Sequence, residues 1–512
     1  MPPRRFTPDH WADLTPDRPA VIVPDGPVLT YGELAHSSHE LARSWRSLGL
    51  ARGDRVAIVM ENRVEYLIVA MAALRDGKRL VPVSSHFTVS EVAHVIADSD
   101  ARLVVTGPSL EPTVRQALRE CPAVEAVQVA PEDVPVAAPP TWPPPYTAPE
   151  PADGETPQGA FMFYSSGTTG KPKGILRPLP SVTWGEADPL TRGFQDSWDF
   201  DQDKIWLNTA PLHHAFPLQS CSDVVRWGGT LVLTERFDAA TLLDLIGTYR
   251  VTHLNMVPTM FVRLLRLPQP VRESADLSTL CTVVHAGAPC PVPVKQDMMN
   301  WWGPVLHEFY GGSENIGWVL IRPEEWLGHP GSVGRPAPGT VTVLGEDHRP
   351  VPPHTRGVVW FERAPRFSYH RAPEKTSGVF DDQGRATLGD LGFVDEDGYL
   401  YLDGRRSDLI VSGGVNIYPA EIETRLAEHP AVLEAAVIGV PDDEYGQGVE
   451  AVVQLEDGGP GSTELASELI AFCRQRLAGY KCPRSVRFEP ELPRTSTGKL
   501  LRRVLRQGPP PP

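Results

Sequence analysis

The chain has 512 residues, 41% hydrophobic and 22% charged, an ordinary globular balance at a length that exceeds one hydrophobic core and predicts two or more domains. Its formal net charge of −16 excludes a general nucleic-acid binder, whose footprint is basic, but leaves room for a small anion in a locally basic pocket. Six cysteines (Cys121, Cys221, Cys281, Cys290, Cys473 and Cys482) lack metal-ligand spacing, the N-terminus has no apolar signal core, and no run approaches the roughly 18 apolar residues of a membrane span. The expectation is a cytoplasmic protein with reduced thiols.

In chain order, "LTYGELAHSSHELARSWRSLGL" spaces Leu34, Leu41, Ala42, Trp45 and Leu48 as an amphipathic helix. "DRVAIVM" predicts a buried strand, and "VEYLIVAMAALRDG" a helix stopped by Gly77. "RLVPVS", "VSEVAHVIADSD" and "ARLVVTG" continue a strand–helix–strand rhythm, which predicts α/β layers around a largely parallel sheet. The Pro-rich stretch 131–157 cannot pack as a helix and predicts an exposed connector.

Next comes "FMFYSSGTTGKPKGILRP", Phe161–Pro178, in which positions 165–174 hold only Ser, Gly, Thr, Lys and Pro. Gly167, Gly170 and Gly174 permit backbone shapes closed to other residues, so amides and hydroxyls converge, and Lys171 and Lys173 add cations. Such a nest suits phosphate oxygens. It is not a Walker A loop, since G-x-x-x-x-G-K-[ST] is not formed. A flexible linker is the bland alternative, and the preceding apolar-aromatic strand speaks against it.

After "YLDGRR" the pattern changes. "AEIETRLAEHP" predicts a helix, "VLEAAVIGV" and "VEAVVQL" two strands, and "STELASELIAFCRQRLAG" a second helix. Together they predict a compact α+β unit of about a hundred residues, a common domain size. The tail "QGPPPP" predicts disorder.

Five separated segments, in order, resemble the adenylate-forming superfamily of acyl-CoA synthetases, aryl-CoA ligases, peptide-synthetase adenylation domains and luciferases. They are "YSSGTTGKPKG" (164–174), "YGGSE" (310–314), "LGDLG" (388–392), "GRRSDLIVSGGVNIYPAEIE" (404–423) and "PRTSTGKLLR" (493–502). The resemblance runs from about Leu29 to Arg506. It implies an α/β fold, with a large N-terminal domain of layered α/β sheets (1–404) and a small mobile C-terminal α+β domain (405–512).

The chemistry implied is attack of a carboxylate on the α-phosphorus of ATP, with pyrophosphate leaving, then acyl transfer to coenzyme A. Charge gathers at that phosphorus, so the site must supply cations and fixed dipoles. By resemblance, Ser165, Ser166, Gly167, Thr168, Thr169, Gly170 and Lys173 hold the outer phosphates. Glu314 ligates Mg²⁺, a hard ion suited to a carboxylate. Gly311 and Ser313 belong to the same motif, with Ser313 keeping the hydroxyl of the family's Thr. Tyr310 stacks on adenine, with "HAGAP" (Gly287, Ala288 and Pro289 included) on the other face. Asp390 binds the ribose hydroxyls, beside Leu388 in place of a Thr, and Arg405 contacts ribose or phosphate. Lys499 bridges the carboxylate and α-phosphate as the chief catalytic residue. Ser407 is the hinge about which the small domain turns after adenylation.

Tyr445, Tyr480 and Arg484 match a coenzyme A face, with Cys482 where some relatives carry Arg. His214 matches a position beside the carboxylate, gating the thiol. His213, Phe216, Val284, Ala286, Phe309, Gly312, Asn315 and Ile316 are pocket-wall candidates, although a core role is the preferred reading of His213. Asn315 either recognises a substituted aromatic acid or bonds to backbone. The partners implied are a small carboxylic acid, ATP and coenzyme A; a homodimer is left open. Alternatives keep adenylation but change the acceptor to a carrier-protein thiol, an amine or water, or activate nitrite as a diazotase does. A non-catalytic nucleotide-binding module is disfavoured by the intact Glu314, Asp390 and Lys499.

Overall fold

The computed structural model describes residues 6–131, 156–165, 172–405, 408–412, 415–442, 445–494 and 500–506. The Pro-rich connector, apart from its two ends, and the C-terminal "QGPPPP" lie outside them. The chain divides into two compact units: Met1–Met256 with Arg263–Val284 and Arg366–Ser377, and Val257–Val262 with His285–Pro365 and Gly378–Pro512.

The first unit is α/β. Its five-stranded sheet runs Ala126–Val129, Ala101–Thr106, Arg55–Val59, Arg79–Val83, Ala160–Phe161, with every neighbouring pair parallel. The strands predicted from "DRVAIVM", "RLVPVS" and "ARLVVTG" are its three central members. The helix Val64–Arg75 is buried along its whole length, which explains why its sequence is apolar on all sides. The second sheet sets His253–Met256, Ile205–Asn208, Thr230–Leu233 and Pro19–Ile22 side by side in parallel, and Val28–Thr30 closes it antiparallel.

The predicted amphipathic helix spans Tyr31–Ser47. It starts at a Thr30–Glu33 capping box, in which Thr30 Oγ1 accepts from the Glu33 amide and the Glu33 carboxylate accepts from the Thr30 amide. Leu34, Leu41, Ala42 and Trp45 are fully buried. Leu48 is not part of that face: the helix ends at Ser47, and Leu48, its C-cap, is 37% exposed.

In the second unit, Leu306–Gly311 and Trp318–Ile321 form an antiparallel hairpin. A five-stranded antiparallel sheet follows, ordered Ser332–Gly334, Leu400–Arg405, Asp390–Val394, Gly357–Phe361, Val341–Leu344. The C-terminal α+β segment forms as its sequence predicts. Helices Pro419–Ala427 and Thr463–Arg474 pack with the antiparallel pair Val432–Asp442 and Gly446–Leu455, and Ser485–Phe488 joins that pair in parallel. Its core includes Ile422, Leu426, Val437, Val453 and Leu469, together with Cys473 and Cys482. Cys482 is therefore a packing residue, its thiol directed at the Ala478 carbonyl at 3.5 Å. Among the described residues, no helix is long and apolar enough to cross a membrane.

Candidate active site

The Gly-rich segment is the connection of a β-hairpin. Tyr164–Ser165 pairs antiparallel with Lys173–Leu176, in the register Ser165 to Lys173, and Ser368–Tyr369 pairs with the outer strand. Gly174 is closely packed: a Cβ there would stand 2.5 Å from Met162 Cε and 3.0 Å from the Tyr164 ring, so those side chains would have to shift. Ser165 and Lys173 thus mark the two feet of the loop. Ser166, Gly167, Thr168, Thr169, Gly170 and Lys171 lie outside the described residues. Lys173 sits with its ammonium group within hydrogen-bonding reach of Lys375; burial, and then this neighbouring charge, bring its pKa down to about 8.

The segment "APLHHAF" is shaped from a distance. Asn62 Nδ2 donates to the Ala210 and Thr234 carbonyls, both at 2.9 Å, while Asn62 Oδ1 accepts from the Leu212 amide at 2.8 Å. This side chain satisfies both ends of a turn that delivers His213 and His214 to the start of helix Ala215–Arg226. The two imidazoles meet edge to face, centroids 4.2 Å apart, and His86 lies 6.1 Å from His213. Burial and neighbouring imidazoles hold His213 far below its ordinary pKa and His214 down to about 4. Both are therefore neutral imidazoles at pH 7. His213 is buried, and Phe216 lies in the first turn of the helix, its ring 6.3 Å from Trp198. Val284 is fully buried in strand Thr282–His285.

In the second unit, Tyr310, Asp390 and Arg405 come together. Tyr310 Oη donates to Asp390 Oδ2 at 2.7 Å, and Arg405 Nε stands 3.4 Å from Asp390 Oδ1. Asp390 and Arg405 are cross-strand partners, so the sheet register sets this contact. Burial, followed by the Asp390 charge, raises the Tyr310 phenol pKa well above its ordinary value and keeps it a donor. The Tyr310 ring stacks against Phe361, centroids 5.8 Å apart.

Beneath Tyr310 lies a buried ion pair. Strand Leu306–Gly311 alternates, so Glu308 shares the buried face with Tyr310. Lys295 Nζ contacts Glu308 Oε2 at 2.7 Å and rests over the Trp326 ring at 4.9 Å. His285 Nε2 is 3.5 Å from the same carboxylate oxygen. Phe309 points to the other face, its ring 6.2 Å from Trp318.

The turn that follows carries Gly311, Gly312, Ser313 and Glu314. A Cβ on Gly312 would fall 2.6 Å from Glu314 Oε2 and 2.7 Å from Leu388 Cδ2, so the Glu314 carboxylate folds back over bare backbone. Asn315 has φ +55° and its amide donates to the Gly312 carbonyl at 2.9 Å. Asparagine tolerates that left-handed conformation, which gives this residue a backbone reason to be there. Ile316 is 1% exposed. Ala286, Gly287, Ala288 and Pro289 follow strand Thr282–His285 as a loop.

At the end of the long C-terminal hairpin, the Arg484 guanidinium lies 4.0 Å over the Tyr445 ring and its Nη1 is 3.1 Å from Asp442. Tyr480 is 56% exposed, next to Lys481, whose Nζ bonds the Glu421 carboxylate at 2.9 Å. Ser407 and Lys499 lie outside the described residues. Their flanks are tied together: Arg502 bonds both Glu423 oxygens at 2.7 and 2.8 Å and reaches Asp408 at 3.3 Å. Arg494 and Leu500 form an antiparallel bridge.

The motifs pointed to neither Asn62 nor His86, nor to Lys375. Asn62 follows a strand end in "MENR", an unremarked position whose role depends on carbonyls about 150 residues away in sequence. Lys375 stands in "PEKTS", where composition alone reads as surface.

Residues 8–365 match the family model of AMP-binding enzymes, and residues 421–499 that of the AMP-binding enzyme C-terminal domain. A feruloyl-CoA synthase of Amycolatopsis is 35% identical over 94% of each chain, and a sulfoacetate–CoA ligase of Cupriavidus necator 32% identical over 93% of this chain and 92% of its own. The crystal structure of ATP-bound MatB from Rhodopseudomonas palustris superposes with a TM-score of 0.82 at 27% identity, covering 98% of both chains. The chain belongs to the AMP-binding enzyme family, the adenylate-forming superfamily that its five motifs resemble.

Proposed function

We propose that this chain is an AMP-forming acid–thiol ligase: it activates a small carboxylic acid with ATP and passes the acyl group to coenzyme A. The observation that carries this reading is full-length similarity to feruloyl-CoA synthase and sulfoacetate–CoA ligase, over 93–94% of the chain. A carboxylate oxygen attacks the α-phosphorus, the bond to the bridging oxygen breaks, and pyrophosphate leaves toward the hairpin whose feet are Ser165 and Lys173. The Asp390 carboxylate, steadied by Tyr310 and Arg405, has acceptor capacity for a ribose diol. Lys499 supplies the cation between carboxylate and phosphate.

Mg²⁺ fits this site in a particular way. Among the described residues no group of three or more His, Cys, Asp or Glu side chains gathers for a metal. The Glu314 carboxylate lies over bare backbone, and such a hard oxygen suits an ion held by one carboxylate, phosphate oxygens and water. Bound there, the ion neutralises charge developing on the phosphates. After adenylation the C-terminal domain, 405–512, turns about Ser407 and presents Tyr445, Tyr480 and Arg484 to the adenine and phosphates of coenzyme A. Six unpaired thiols suit a cytoplasmic setting.

The test is hydroxylamine trapping over a panel of aryl, short-chain and long-chain acids. A hydroxamate that requires both ATP and one acid is expected, followed by a coenzyme A thioester when the thiol replaces hydroxylamine. Absence of any ATP-dependent hydroxamate across the panel would reject the reading.

A further inference from the structure

Four arginines converge at one edge of the five-stranded sheet in the first unit. Arg55 and Arg79 are the first residues of neighbouring parallel strands, Arg55–Val59 and Arg79–Val83, and stand opposite each other in register. Side chains at paired positions share a face of the sheet, so the two guanidiniums are neighbours. Arg177 follows strand Lys173–Leu176 at the end away from Lys173, about 13 Å along it. Its segment returns to the same edge, where Arg52 Nη2 donates to the Pro180 carbonyl at 3.1 Å. The Arg52 stem lies against Gly77, at which a Cβ would meet Arg52 Cγ at 3.0 Å. The Gly53 amide donates to the Gly77 carbonyl at 2.8 Å and the Arg79 amide to the Asp54 carbonyl at 2.9 Å, which ties the turn carrying Arg52 to the start of the Arg79 strand.

Charge at this edge is poorly matched. Arg79 is 9% exposed, its Nη1 is buried without a hydrogen-bond partner, and among the described residues no carboxylate comes within ion-pairing distance of it. Burial, followed by the charges of Arg55, Arg177 and Arg52, brings the Arg79 pKa down to about 10. Arg55 Nη1 is 3.7 Å from Asp100, a carboxylate that also accepts from Arg371 at 2.6 Å and stands 3.3 Å from His370, and Arg55 Nε is buried and unpartnered. Burial lowers the Arg177 pKa, with Asp188 opposing. The Asp188 oxygens accept from Gln158 Nε2 at 2.7 Å and the Thr191 amide at 3.0 Å. Like charges on directly paired strand positions are destabilising, and a bound anion would offset that repulsion.

We propose that Arg52, Arg55, Arg79 and Arg177 form a site for a phosphoryl anion, separate from the nucleotide loop and independent of the ligase reaction. A phosphate near neutral pH carries a charge of about −1.5 to −2 and three acceptor oxygens aimed in different directions. That suits guanidiniums arriving from a turn, two strand starts and the far end of a third strand. A planar carboxylate presents two oxygens in one plane and meets fewer of them. Arginine keeps its charge where it is crowded, so the four groups remain cationic at pH 7.

The test is titration calorimetry of the full-length chain with inorganic phosphate, glycerol phosphate and citrate at constant ionic strength. Arg79→Leu should weaken phosphate binding about 10- to 100-fold, the scale for losing hydrogen bonds to an ionised group, and Arg177→Gln should weaken it in the same direction. Because a like-charge contact is removed, the urea midpoint of Arg79→Leu without phosphate should equal or exceed that of wild type, and millimolar phosphate should raise the wild-type midpoint more than that of the variant. Arg79-dependent binding of inorganic phosphate alone would assign the free ion, and of glycerol phosphate as well, a phosphorylated small molecule. Phosphate affinity equal in wild type and both variants, no phosphate binding by wild type, or Arg79-dependent binding of citrate tighter than that of phosphate would each overturn the proposal.

Discussion

At the feet of the Gly-rich hairpin, Lys173 and Lys375 stand within hydrogen-bonding reach of each other, and burial, then this neighbouring charge, brings the Lys173 pKa down to about 8. In the second unit, by contrast, Asp390 lies between a tyrosine hydroxyl at 2.7 Å and a guanidinium at 3.4 Å, and Glu308 holds Lys295 at 2.7 Å. One region sets two like charges beside each other; the other matches charge with charge inside the fold. Adjacent like charges disfavour each other's protonated form, while matched groups hold a shape. The two arrangements come from separate stretches of sequence, one in each unit.

Breaking a matched pair should produce the largest effect. Lys295→Met strands the Glu308 carboxylate in the core and should cost about 3–5 kcal/mol of stability, read by urea denaturation. The double variant Lys295→Met/Glu308→Leu should recover much of that. If the single variant unfolds like wild type, the pair is not what anchors the strand beneath Tyr310.

Lys499 comes next. Lys499→Ala should slow adenylate formation about 10²–10³-fold, the scale for losing one preorganised donor. Unchanged pyrophosphate exchange would remove it from that role. Asp390→Asn keeps the shape but loses the charge; it should lower kcat/KM for ATP by about 10- to 100-fold, as for a hydrogen bond to an ionised group. An effect confined to stability would make Asp390 a purely structural partner of Tyr310 and Arg405.

The smallest effect is a pH dependence. Lys173 is protonated below about pH 8 and neutral above it, so phosphate affinity should weaken as pH rises through that value. The loss should be up to about tenfold. In Lys375→Gln the repelling neighbour is gone, the Lys173 pKa rises toward its ordinary value, and the weakening should move to higher pH. A midpoint that stays put would show that Lys375 does not set it.

Much of this was legible in the sequence, for identifiable reasons. Alternating strands and helices from Arg55 to Thr106 follow apolar periodicity, a local signal. The Ser/Gly/Thr/Lys composition of 165–174 predicted a loop after a strand; the flanking segments Tyr164–Ser165 and Lys173–Leu176 do pair as strands, while Gly167 and Gly170 lie outside the described residues. Strand order was not legible: Pro19–Ile22 inserts beside Thr230–Leu233, with Val21 opposite Leu231, and nothing within either segment states that partnership. Leu48 fitted the helical period but falls one residue past the helix end, where capping and not periodicity decides. Asn62, His86 and Lys375 act through neighbours far away in sequence, which a linear reading cannot supply. Asn315 had two sequence readings, and its positive φ supplies a backbone reason for it.

The most direct measurement is acid-dependent exchange of labelled pyrophosphate into ATP by the purified full-length chain. Exchange that requires one particular acid, persists without coenzyme A and collapses in Lys499→Ala is the predicted result. Exchange no greater than the acid-free background, across acids of every class tested, would contradict the account.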